Sequence, residues 1–95
     1  MEQQEAYEKD MNTKLRKWNA KIDELKADMD KAEAKKREIY YKEVEHLQDM
    51  KHKAQEKLDS LKQSGKGSFD DLKIGVERAV EDLEEAVSSA FSRFK

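Results

Sequence analysis

Cysteine and proline are absent from the 95 residues, glycine occurs three times, and threonine occurs once, at Thr13. Without cysteine there is no disulfide, no thiolate metal site and no cysteine nucleophile. Without proline, and with no glycine before Gly65, the first two-thirds of the chain carries no helix breaker. Strands need runs of Val, Ile, Thr and aromatics between turn residues, and no such run occurs. No apolar stretch approaches the roughly 20 residues of a membrane span. The start, Met1-Glu2-Gln3-Gln4-Glu5, lacks the basic and apolar regions of a secretory signal. The expectation is a soluble, cytoplasmic chain of one domain.

What is present is charge: 44% of residues are Asp, Glu, Lys or Arg, against 36% hydrophobic. High charge with low hydrophobicity is also a signature of disorder. Here the net charge is only −2, so self-repulsion is weak, and the apolar residues are periodic. Tyr7, Met11, Leu15, Trp18, Ile22, Leu25, Met29 and Ala32 follow one another in steps of three and four, the a/d seam of a heptad. The seam then changes phase and resumes as Tyr40, Val44, Leu47, Lys51, Ala54, Leu58 and Leu61, with Lys51 its one polar member. Ala32 to Leu47 reads as a hendecad-like stutter, which unwinds a supercoil without ending the helix. One helix is therefore expected from about Gln3 to Gln63, roughly 90 Å long. Acid-first pairs four residues apart, such as Glu33–Arg37 and Asp49–Lys53, support an exposed helix.

Ser64-Gly65-Lys66-Gly67 ends that helix, with Gly65 suited to the left-handed residue after a C-cap. Ser68 and Asp71 have capping-box spacing, and Asp70 and Asp71 favour the positive end of a new helix dipole. The second helix carries a broader stripe, from Phe69, Leu72 and Val76 through Leu83 to Phe91 and Phe94. A close helix approach is the expected reason for Gly75 within it. The resulting fold class is all-α: a long helix over 1–63, a turn at 64–67, and a helix over 68–95 packed back on 37–63 as an antiparallel hairpin. Leu58, Leu61, Phe69, Leu72, Val76 and Leu83 are expected to close the hairpin.

The shorter helix cannot cover the whole of the longer one. The seam of Leu15, Trp18, Ile22, Leu25 and Met29 is left without an intrachain partner. Self-association follows, as a homodimer or homotetramer forming an oligomeric coiled coil or bundle, with another coiled-coil protein as a further partner class. On this reading Leu25→Asp dissociates the oligomer.

The segment LKQSGKGSFDDLKIGVERAVEDLEEAVSSAFSRFK, Leu61 to Lys95, is similar to the ending of a set of small bacterial coiled-coil proteins. These carry a Lys/Tyr-rich helix, then SG, then an LKxGVExA helix ending in SRF; IYYKEVEHL, Ile39 to Leu47, fits more loosely. The resemblance implies bacterial origin and the hairpin. Such proteins are often described as apolipoprotein-like.

Chemistry has few footholds. Glu43-x-x-His46 and Asp49-x-x-His52 have the spacing of a metal-ligand pair on one helix face. With 22 acids in the chain, however, such spacing arises by chance. Ser64 to Ser68 lacks the glycine spacing and preceding strand of a phosphate loop. Basic and acidic residues are interleaved throughout, with Lys35-Lys36-Arg37 the one local cluster, so no nucleic-acid surface is expected. No enzyme activity and no cofactor are implied. The main alternative to self-assembly is an amphipathic, apolipoprotein-like surface that binds lipid through Phe91 and Phe94. Its acidic polar face, including Glu77, Glu81, Asp82, Glu84 and Glu85, disfavours anionic membranes.

Overall fold

A helix with apolar residues only at a and d positions hides them by facing two neighbours. Three such helices in one chain complete a bundle. The computed structural model describes residues 2–64 and 66–94. It contains α1 (Glu2–Lys31), α2 (Ala34–Gln63), a short 3-10 turn (Lys66–Ser68) and α3 (Phe69–Phe94). The described residues contain no strand.

The helices run up, down and up. Lys51 of α2 reaches Asn19 of α1, and Lys62 reaches Asn12, so α1 and α2 are antiparallel. Tyr7 meets Phe69, and Lys21 lies over the ring of Phe91, so α1 and α3 are parallel. The bundle measures 51 × 18 × 17 Å.

The single helix expected over residues 3–63 is corrected here: the chain breaks at Ala32 and Glu33 and folds back on itself. Residues 33–39 are all exposed, so no apolar side chain from this stretch would gain by staying in line. Folding back buries Met11, Leu15, Trp18, Ile22 and Leu25. At about 1.5–3 kcal/mol for each fully buried side chain, that gain exceeds a few helical hydrogen bonds at about 1 kcal/mol net each. The α1 seam thus has intrachain partners, contrary to the expectation of an unpartnered one.

The break is made without glycine. Ala32 N–H donates to the Met29 carbonyl at 3.1 Å, and the Arg37 guanidinium donates to the Ala32 carbonyl at 3.1 Å. Glu33 is extended, at φ −65° and ψ 155°, and opens α2 without a side-chain cap. At the other end of α2, Ser64 stops the helix by donating its N–H (3.1 Å) and its hydroxyl (2.7 Å) to the Leu61 carbonyl. Gly65, expected to take a left-handed conformation there, lies outside the described residues. Ser68 ends the 3-10 turn and is the residue immediately before α3.

Candidate functional site

With no polar or charged side chain buried among the described residues, the surfaces with functional content are the helix faces themselves. The core takes Met11, Leu15, Trp18, Ile22 and Leu25 from α1. It takes Val44, Leu47, Ala54, Leu58 and Leu61 from α2, and Val76, Val80, Leu83, Val87 and Ala90 from α3. The spacing is three and four in every helix, with α2 skipping one position, Lys51. Each helix therefore offers its neighbours the same kind of face.

Of the residues assigned to an oligomer seam, Leu15, Trp18, Ile22 and Leu25 are buried within the bundle, and Met29 is half-buried near its end. Of those assigned to hairpin packing, Leu58, Leu61, Val76 and Leu83 are fully buried, while Phe69 and Leu72 pack half-buried against the core.

Two aromatic pairs fix the ends of the bundle. At one end Tyr7 packs edge-on to Phe69, with centroids 5.7 Å apart, and its hydroxyl donates to the Lys73 carbonyl at 3.2 Å. Burial, with the negative charges of Glu77 and Asp10 adding to it, pushes the Tyr7 phenol up to about 12. At the other end Tyr40 stacks on Phe94 at 4.2 Å and donates to the Phe94 carbonyl at 3.3 Å. Beside that stack Arg93 lies 3.7 Å from Glu43. The phenylalanines considered for lipid contact are thus engaged with the bundle, Phe94 by Tyr40 and Phe91 by the Lys21 ammonium 4.9 Å from its ring centre.

Sequence reasoning passed over three polar groups that position the helices. Lys51, the polar member of the α2 seam, is half-buried and donates to Asn19 Oδ1 at 2.8 Å across the α1–α2 interface. Its signal was its place in the heptad. Asn19 and Arg37 gave none, because an exposed-face Asn or Arg is ordinary in any helix.

His46 and His52 stand exposed on α2 and line an open surface groove with Lys42, Glu45 and Asp49. Their supposed carboxylate partners have other neighbours: Glu43 faces Arg93, and Asp49 pairs with Lys53 at 3.6 Å. Among the described residues no group of three or more His, Asp or Glu side chains could hold a metal ion, and no helix is long and apolar enough to cross a membrane.

No protein-family model matches this chain, and neither a curated protein nor a solved structure does.

Proposed function

We propose that the chain is a non-enzymatic structural and interaction protein that works by pairing amphipathic helices, with a second copy of itself as the partner. The observation that carries this reading is the repetition of one heptad-spaced apolar face on all three helices. A face of that kind selects its partner by shape and apolar area rather than by ligand chemistry. An identical chain carries the matching faces by construction. A cytoplasmic setting, and kinship of Leu61 to Lys95 with small bacterial coiled-coil proteins, fit the same reading.

The test is the solution mass of the full chain, by light scattering after size exclusion, across a range of concentrations. A mass of two or four chains supports self-association. A monomer at every concentration overturns it. Co-sedimentation with phosphatidylcholine vesicles then decides whether the faces serve lipid instead: a chain that pellets supports the apolipoprotein-like alternative, and a chain left in the supernatant removes it.

A further inference from the structure

We infer that the Ala32–Glu33 turn is a hinge that straightens, so that two chains exchange their α1 helices and close two bundles between them. The inference rests on the self-association reading and names its mechanism.

The turn is made of residues that favour a helix. Ala32 and Glu33 are good helix formers, and so are the flanking Lys31 and Ala34. Among the described residues no backbone has a positive φ, so no left-handed residue locks the turn. The start of α2 is also poorly secured. Glu33 makes no capping hydrogen bond, and Lys35, Lys36 and Arg37 place positive charge at the positive end of the α2 dipole. In a continuous helix that dipole end disappears from this position. Nothing in the core holds the segment either, since residues 33–39 are all exposed.

The register suits the straight form. Leu25 and Leu47 are both fully buried and stand 22 residues apart, as do Ile22 and Val44. Six turns take about 21.6 residues, so a helix running straight through Ala32 presents both seams within roughly 40° of one another. That helix is roughly 90 Å long, with one nearly continuous apolar face.

The occupant of the vacated site follows from the contacts. The α2–α3 pair is the most extensive in the bundle and α1 has the smallest share, so α1 leaves while the α2–α3 hairpin stays. The groove it leaves is shaped for Met11, Leu15, Trp18, Ile22 and Leu25, and only another α1 brings these together with Asn19 for Lys51 and Tyr7 for the Lys73 carbonyl. Every contact of the closed bundle is remade between chains, and only the two turns differ.

Because the chain has no cysteine, labels can be placed at will. Asp23 and Glu45 are exposed on α1 and α2. The Asp23→Cys/Glu45→Cys chain, spin-labelled, is refolded at high concentration with excess unlabelled chain, and the dimer is separated by size exclusion. Within one chain the closed bundle gives a short distance, set by an interhelical spacing of about 8–10 Å. The straightened helix gives about 33 Å. The expected result is the long distance in the dimer and the short one in the monomer. A dimer with the short distance overturns the exchange and leaves self-association standing. Absence of any dimer overturns both. A second variant, Glu33→Asp, supplies the missing cap in both turns and is expected to lower the dimerisation constant about thirtyfold without changing the monomer fold. An unchanged constant overturns the hinge.

Discussion

Lys51 occupies a seam position where an apolar side chain would complete the α2 stripe, and its ammonium reaches Asn19 instead. A polar residue at one seam position costs some stability and fixes register, because only one alignment of α1 on α2 brings the amide within reach. Tyr7 does comparable work at the end of the bundle, and its chemistry gives a pH signature. Its phenol is held neutral in the folded chain up to about 12, against 10.0 for the unperturbed group. The folded-state value is raised, so the stabilisation is fully present below pH 10 and is lost as pH climbs through 12. Urea unfolding of the wild type and of Tyr7→Phe should therefore differ by a constant amount up to about pH 10, with the difference shrinking above it. A difference that stays flat to pH 11.5 would mean that the phenol titrates normally.

At the scale of the element, α3 carries an unexpected residue at Gly75. A close helix approach was its expected reason, and the structure corrects this: a methyl group added there would meet nothing within 4 Å. Gly75 does not have a positive φ either. It is simply a weak point in the helix, so Gly75→Ala should stabilise the chain by about 0.5–1 kcal/mol, read as a higher denaturant midpoint with an unchanged slope. A lower midpoint would mean that something packs against that position. The apolar positions were legible in the sequence: Leu15 sits in an unbroken three-and-four spacing, Leu47 in one interrupted only at Lys51, and Leu83 in the broader stripe of the last helix. The break at Ala32 was not. It has no glycine, no proline and no capping side chain, and its cause is tertiary: the burial of Leu25 and its neighbours on α2 and α3. The one local sign was the gap from Ala32 to Tyr40, which reads equally well as a stutter in one helix and as a turn between two.

At the scale of the whole molecule, the core residues follow the apolar seams read from the sequence and α3 packs antiparallel on α2, but α1 folds back onto that pair instead of extending beyond it. This changes what one substitution does. Leu25 is fully buried within a single chain. Leu25→Asp places an unpaired carboxylate in an apolar core and should remove about 4 kcal/mol or more, a large part of the 5–15 kcal/mol typical of a domain. Thermal melting followed by circular dichroism should show the cooperative transition lowered or lost at every concentration, in place of a simple change of mass. A variant that melts like the wild type would put Leu25 outside the core. The candidate metal spacing was equally visible in the sequence, but Glu43 faces Arg93 on α3, a contact that sequence spacing cannot reveal.

The two-residue turn between α1 and α2 also bears on speed. Closing so short a connection takes well under a microsecond, and bundles rich in local contacts fold in microseconds to milliseconds. A chain leaving its unfolded state in dilute solution therefore finds its own α1 long before it meets another chain's. Exchange between closed bundles must wait for α1 to detach, so populations of one and two chains, once formed, should interconvert slowly and retain a record of the concentration at which they folded.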